Sequence, residues 1–182
     1  MAPEGQELPK LIAFDLDATL WIPEMYELSG PPFKVDPKDG ECLVDRRGEQ
    51  IQLMGASRKI LSELANDARW QDTQVAYVSR TEYPQWANSC LKLFRIGERS
   101  SMHKLAEVKE IYPGSKLTHF RRIHNQTGIE YGDMLFFDNE SWNIKEVSRL
   151  GVVCVYTPDG MTDHVWQQGL ADFAKAAGSR AA

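Results

Sequence analysis

Cysteine is scarce in this sequence. Cys42, Cys90 and Cys154 are odd in number and widely separated, and no CxxC pair occurs. That pattern excludes a disulfide framework and a paired-thiol redox or zinc motif, and leaves reduced thiols as the expected state. Positive charge is also in deficit: 21 Lys and Arg stand against 26 Asp and Glu, for a formal net charge of −5. No overall field draws such a chain to nucleic acid or to an anionic membrane surface, and no partner of either kind is expected. A run of roughly 18 apolar residues, the minimum for a membrane-spanning helix, is absent, and the opening "MAPEGQELPK" has neither the basic nor the apolar stretch of a signal peptide. The expectation is a soluble, cytoplasmic protein. At 182 residues the chain is long enough to bury a core without disulfides or a structural metal, and residues 1–182 are expected to form one domain.

The stretch "KLIAFDLDATLW", residues 10–21, places four apolar residues in a row, Leu11 to Phe14, behind the breaker Pro9. Such a run reads as a strand covered on both faces, as in a parallel sheet. It must stop near Asp15, because an unpaired buried carboxylate is costly. About thirty residues rich in Pro, Gly and charge follow. In them "DPKDG" is a turn between the short extended runs "FKV" and "ECLVD", with "EQIQL" a third, so a small β insert is expected over about residues 21–54. From Ser57, the expected N-cap, Ile60, Leu61, Leu64, Ala65 and Ala68 recur at helical spacing and the helix should end near Trp70. "TQVAYV" is the second core strand, and the helix after it carries Pro84 in its first turn. "GERSSMHKLAEVKEIY" is ambiguous, with a short strand favoured at Val108 to Ile111. Ser115 caps a helix with Leu117, Phe120 and Ile123 along one face and Gly128 at its end. "DMLFFDNE" is the fourth core strand, "SWNIKEVSRLG" a helix closed by Gly151, "VVCVYT" the fifth strand and "TDHVWQQGLADFAKAA" the last helix. This alternation predicts an α/β fold, a three-layer doubly wound parallel sheet with a small β insert after the first strand.

Polar groups collect where the core strands end. Asp15 and Asp17 follow the first, Ser79 and Arg80 the second, Lys116 opens a helix, and Asp138 and Asn139 follow the fourth. In open parallel sheets ligands bind beyond those carboxyl ends. Side chains two apart on an extended chain point the same way and lie roughly 6–7 Å apart, so two carboxylates can address one small group. Each residue alone has a plainer reading: a solvated turn with Thr19 as a cap, a turn hydroxyl at Ser79, a solvated lysine, and Asp138 or Asn139 capping the next helix. A lysine in a helix's first turn opposes the helix dipole, which hints that Lys116 serves an anion. Taken together and in order, "FDLDATL", the Ser of "YVSRT", the Lys of "PGSK" and "FFDNE" resemble the four motifs of the haloacid dehalogenase superfamily. The wording of "DRRGEQIQL", "SRTE", "EIYPGSKLTHF" and "RLGVVC" is similar to its magnesium-dependent phosphatase branch across nearly the whole chain.

The resemblance implies a Mg²⁺-dependent phosphomonoesterase. Asp15 would attack phosphorus to form an aspartyl-phosphate, and Asp17 would protonate the leaving oxygen and then activate water. Enzymes that hydrolyse phosphate monoesters supply up to roughly 10²¹-fold, far beyond the 10²- to 10⁴-fold of one acid–base group, so covalent and electrostatic help are both needed. Mg²⁺ would be held by Asp15, the Asp17 carbonyl and the pair Asp138 and Asn139, while Ser79 and Lys116 would bind the phosphoryl oxygens. One departure stands out: the branch carries two aspartates where this chain has Asp138 and Asn139. An Asp-Asn pair occurs in the related carboxy-terminal-domain phosphatases, with Asn as a metal ligand, and which of the two serves here is open. The insert is too short for a large cap, so an open cleft is expected, suited to a phosphorylated protein or a modest small-molecule phosphate monoester. Phosphotyrosine and phosphorylated sugar adducts on amines are the substrates the resemblance suggests. Trp21, Tyr26 and Phe33 either line a ring-accepting wall or pack the loop. Arg80 is the expected anion clamp, whereas Arg46 and Arg47 read as a solvated face. His119 and His124, five apart, share no helix face for zinc, and surface or capping roles are expected. The rival readings are a receiver-like signalling domain and a catalytically silent phosphate-binding relative. A receiver carries its phosphoacceptor on a middle strand, and "TQVAYVSR" ends without an acid.

Overall fold

The computed structural model describes residues 7–181. In chain order the first strand is β1 (Leu11–Phe14), and the insert holds β2 (Trp21–Ile22), β3 (Lys34–Val35), β4 (Leu43–Val44) and β5 (Gln50–Leu53). Then come α1 (Ser57–Asn66), β6 (Gln74–Ser79), α2 (Pro84–Leu93), α3 (Met102–Leu105), β7 (Val108–Ile111) and α4 (Lys116–Thr127). The chain closes with β8 (Met134–Asp138), α5 (Ser141–Ser148), β9 (Val153–Tyr156) and α6 (Asp163–Ala181).

Five of these strands form one parallel sheet in the order β7-β6-β1-β8-β9. The apolar runs explain the arrangement. Ile12, Phe14, Leu135 and Phe137 face one core with Trp166 and Phe173 of α6. Leu11, Ala13, Met134 and Phe136 face the other with Phe120, Ile123 and Val147 of α4 and α5. A strand that feeds two cores has no face left for a polar side chain until it ends. The chain winds from β1 out to β6 and β7, then returns to place β8 and β9 on the other side. The strand order therefore reverses between β1 and β8, and the crevice at their carboxyl ends is the place where such sheets bind ligands.

The insert is a four-stranded antiparallel sheet, β2-β5-β4-β3. It is short, and Trp21 ties its first strand into the core. Two local expectations need correction. Ser57 is not the N-cap of α1; Ala56 holds that position, and Ser57 is the first helical residue, buried with an unpartnered hydroxyl. The turn is set instead by Gly55, at φ 48°, and by the Ala56 amide bonding Met161 O at 2.9 Å. That helix also stops at Asn66, where Asp67 accepts from the Arg69 amide and starts a separate 3-10 turn over Ala68–Trp70. The ambiguous segment resolves into α3, capped by Ser101, followed by β7 over the expected residues. Among the described residues no helix is long and apolar enough to cross a membrane.

Candidate active site

The chain turns sharply after β1. Ala18 adopts φ 59°, and the Leu16 carbonyl accepts from the amides of Thr19 at 3.1 Å and Leu20 at 2.8 Å. A non-glycine residue in the left-handed region is uncommon and is held by its surroundings. The turn carries Thr19 back beneath the strand end, where its hydroxyl donates to Asp15 Oδ2 at 3.1 Å and accepts from the Asn139 amide at 3.1 Å. One hydroxyl thus joins the ends of β1 and β8.

Lys116, the first residue of α4, is buried, and its ammonium lies 2.6 Å from Asp15 Oδ1 and 2.6 Å from Asp138 Oδ2. Burial disfavours the charged ammonium, but the two carboxylates outweigh this and raise its pKa. Burial pushes Asp15 up to about 7 against the pull of Lys116, with Asp138 and Asp17 adding to the push. Asp138 has no free oxygen: Oδ1 accepts from the Glu140 amide at 2.8 Å, and Oδ2 takes Lys116 and the Asn143 side-chain amide at 3.1 Å. Asp17 Oδ1 accepts from Trp21 Nε1 at 2.7 Å and Oδ2 from the Met25 amide at 3.1 Å, while burial raises its pKa to about 6.

Asn139 places its side-chain amide among the oxygens of this junction. Its side-chain oxygen faces acceptors, Asp15 Oδ2 at 3.2 Å and the Asp17 carbonyl at 3.3 Å, beside the Thr19 hydroxyl at 3.3 Å. Such a convergence of oxygens is satisfied in two ways. Either the amide turns its nitrogen inward and donates, or a cation lies among the oxygens. The donor set of one carboxylate, one backbone carbonyl and one amide oxygen suits a hard, oxygen-preferring ion such as Mg²⁺. Charge agrees, since three carboxylates, Asp15, Asp17 and Asp138, face the single ammonium of Lys116.

A cleft of about 260 Å³ brings together Asp15, Asp17, Ser79, Arg80, Lys116 and Asn139. Asp138 lies just beneath it, holding Lys116. Arg80 lines the cleft with its guanidinium over the Trp142 ring at 5.9 Å and Nη1 3.5 Å from Asn143 Oδ1. Of the three aromatics, Tyr26 alone lines the cleft; Trp21 is buried against Asp17, and Phe33 packs on Trp86 at 6.1 Å. Arg46 and Arg47 are exposed, as expected. His119 is not at the surface: it is wholly buried, with Nε2 3.0 Å from Tyr112 O. Residues the sequence reading missed are Thr19 as a partner of Asp15, Asn143 as a bridge from Asp138 to Glu140, and the carboxylates Glu24, Glu82 and Glu140 on the cleft wall. A buried asparagine in the turn of helix after an acidic motif was the available signal for Asn143.

The sequence matches the family described as Acid Phosphatase over residues 7–176. It is 41% identical to human Magnesium-dependent phosphatase 1, over 93% of this chain and 89% of that protein. A HAD-like hydrolase superfamily protein of Schizosaccharomyces pombe is 39% identical, over 80% of this chain and 84% of its own length. Among solved structures, a magnesium complex of a HAD family enzyme from Bacteroides thetaiotaomicron aligns with a TM-score of 0.61 at 13% identity, over 88% of this chain and all of that one. The N-terminal part of a Bacteroides fragilis protein containing a phosphatase domain, complexed with Mg, gives 0.59 at 18% identity, over 93% of this chain and 41% of that one. These two likenesses concern the fold.

Proposed function

The chain belongs to the magnesium-dependent phosphatase family of the haloacid dehalogenase superfamily, and from that premise we propose that it hydrolyses phosphate monoesters through an aspartyl-phosphate on Asp15. The observation that carries the proposal is the junction of β1, β8 and α4, where Asp15 holds the Lys116 ammonium on one oxygen and the Thr19 hydroxyl on the other, with the Asn139 side-chain amide between that oxygen and the Asp17 carbonyl. Asp15 Oδ2, the Asp17 carbonyl and Asn139 Oδ1 would hold Mg²⁺, with Asp138 set back as the partner of Lys116. When bound, Mg²⁺ supplies the positive charge that lets an anionic nucleophile meet a phosphate dianion.

Asp15 Oδ1 attacks phosphorus while the bond from phosphorus to the ester oxygen breaks. Lys116 neutralises the phosphoryl oxygens, and the Ser79 hydroxyl donates to them. Asp17, with a pKa near 6, keeps an acid fraction close to neutrality and gives its proton to the leaving oxygen. Its carboxylate then takes a proton from water, which attacks the same phosphorus and releases inorganic phosphate and free Asp15. Thr19 holds Asp15 in place throughout by its bond to Oδ2.

The cleft wall bears on the substrate. Glu24, Glu82 and Glu140 line it, and none of the three has an ion-pair partner among the described residues. Unpaired carboxylates repel a bare dianion and favour a leaving group that carries a positive charge. That supports a phosphorylated sugar–amine adduct as the substrate class. Tyr26 and Tyr83 on the same cleft support phosphotyrosine as the second reading. The test is phosphate release from both substrate types with Mg²⁺ and with chelator, for the native protein and Asp15→Asn. Turnover that needs Mg²⁺ and vanishes in Asp15→Asn is expected. Turnover surviving either change refutes the mechanism, and no turnover with any substrate favours a silent phosphate-binding relative.

A further inference from the structure

Tyr112 is the residue between the end of β7 and the Pro113–Gly114–Ser115 turn that delivers Lys116. It is fixed on every side. Its amide donates to the Ser79 carbonyl at 3.1 Å, and its own carbonyl lies 3.0 Å from His119 Nε2. Its ring meets the His119 ring edge-on at 4.2 Å, and its hydroxyl donates to Glu110, which Arg122 holds at 3.4 Å. His119 sits one turn beyond Lys116 on α4, on the same buried face. A single residue therefore links the strand end that carries Ser79 to the helix turn that carries Lys116.

The chemistry of His119 fits a clamp. Burial, with Lys116, Arg80 and Arg122 nearby, lowers its pKa to about 4, so the ring is neutral at physiological pH. A carbonyl accepts, so Nε2 carries the proton. Nδ1 is then left buried and without a partner. An unpaired buried polar atom is destabilising. A phenylalanine would fill the space without that cost, so the imidazole has to be explained by what Nε2 does.

We propose that His119 is a positioning residue for phosphoryl transfer, which acts by clamping the Tyr112 carbonyl and so fixing the Lys116 ammonium relative to Ser79. The inference rests on the reading of Ser79 and Lys116 as phosphoryl-binding groups. Lys116 reaches two carboxylates at 2.6 Å from a four-carbon stem, and only an anchored helix start holds such a stem to one place.

The test compares His119→Phe, which keeps a flat ring and loses the donor, with His119→Gln, whose Nε2 stands at the same reach as that of histidine. His119→Asn, one carbon shorter, is a polar control that falls short of Tyr112 O. For each variant kcat, KM, inhibition by orthovanadate and Tm are measured, with Lys116→Ala alongside. The Phe and Asn variants should lose about ten- to a hundredfold in kcat, the scale of a displacement near 1 Å. They should lose vanadate affinity in step, and Gln should recover most of both. Tm should not follow that order, because Phe also removes the orphaned Nδ1. Native kcat and vanadate affinity in the Phe or Asn variant overturn the proposal, as does a Gln variant no better than Asn. If His119→Phe does not fold, the Gln and Asn pair decides alone. Full activity in Lys116→Ala overturns the underlying reading of Lys116, whereas loss in Lys116→Ala with none in the His119 variants overturns the clamp only.

Discussion

Replacing Asn139 by aspartate restores the carboxylate found in the related branch, and the geometry sets what that costs. The side-chain oxygen at 139 lies 3.2 Å from Asp15 Oδ2 and 3.3 Å from the Asp17 carbonyl. In metal-free protein, asparagine satisfies that cluster by turning its amide nitrogen inward. An aspartate has no such donor unless it is protonated. Coulomb repulsion from Asp15 at that separation is about 5 kcal/mol at an effective dielectric constant near 20. Protonation caps that penalty: an ordinary aspartate takes a proton at pH 7 for about 4 kcal/mol, and Asp15, already raised to about 7, takes one for less than about 1 kcal/mol. Position 139 is half-buried, and with that route open and solvent screening included the expected loss is about 1 kcal/mol. For a domain of this size that is a Tm lower by about 2–4 °C. The new carboxyl has its folded pKa raised, so the penalty is absent below the unfolded value near 3.9 and grows as pH rises towards 7. With Mg²⁺ present the added charge works the other way, and the concentration giving half-maximal rate should fall about tenfold. Thermal denaturation in chelator at pH 5 and pH 7, followed by Mg²⁺ titrations of Tm and of rate, measures each part. If Asn139→Asp leaves both the metal-free Tm and the Mg²⁺ requirement unchanged, the Asn139 side chain is outside the ion's reach and Asp138 supplies the ligand.

Further outcomes follow from other parts of the site and fold. Asp17→Asn should fold normally and lose about 10²- to 10⁴-fold with alkyl phosphates, and less with aryl phosphates, whose leaving groups need no proton; an equal loss on both counts against an acid role. With saturating Mg²⁺, whose charge would keep Asp15 ionised, the alkyl phosphate rate should fall as pH rises through about 6, where Asp17 loses its proton, and a flat profile from pH 5 to 8 would contradict this. Because the His119 pKa is depressed to about 4, its neutral form stabilises the fold fully above the unfolded value near 6.5, and about 3 kcal/mol is lost as pH falls from there to 4. Denaturant melts of native protein and His119→Gln should diverge by that amount across the window. Gly55→Ala should destabilise by about 2–3 kcal/mol, since φ is 48° and the added Cβ would lie 2.4 Å from the Met161 carbonyl; urea melts test it.

How much of this was legible in the sequence depends on whether the signal was local. The apolar runs at Leu11–Phe14 and Met134–Asp138 announced buried strands, and the acids after them marked where those strands end. Strand order was not legible, because residues 101 apart, Asp15 and Lys116, meet only once the sheet is assembled. Helix α4 shows the limit most clearly. The sequence reading put Leu117 with Phe120 and Ile123 on the inner face and left Lys116 and His119 outside, since charged and polar side chains are rarely buried whole. In the structure Lys116, His119, Phe120 and Ile123 form the buried face and Leu117 is half-buried. Spacing alone fits either face. What decides is a pair of carboxylates from two other strands that repays the desolvation of the ammonium, and no window along α4 contains them.

That repayment is itself an argument for function. Removing charges from a buried ion cluster and packing the space with apolar side chains is often neutral, or stabilising by about 1–4 kcal/mol, whereas breaking the cluster by deleting one member costs about 3–5 kcal/mol. Folding alone gives the chain no reason to keep Asp15, Lys116 and Asp138 together at the ends of two strands, β1 and β8, whose other residues are wholly apolar. The cluster stands at the point where strand order reverses, beside a crevice open to solvent. There Asp15 keeps one oxygen on Lys116 and the other on Thr19 beside Asn139. Asp138 is wholly buried beneath the cleft and takes three donors, whereas Asp15 lines the cleft with one donor on each oxygen. The difference between these two aspartates, one saturated and buried, the other facing the cleft with oxygens still able to take an ion and a phosphoryl group, is what a nucleophile and its supporting residue require.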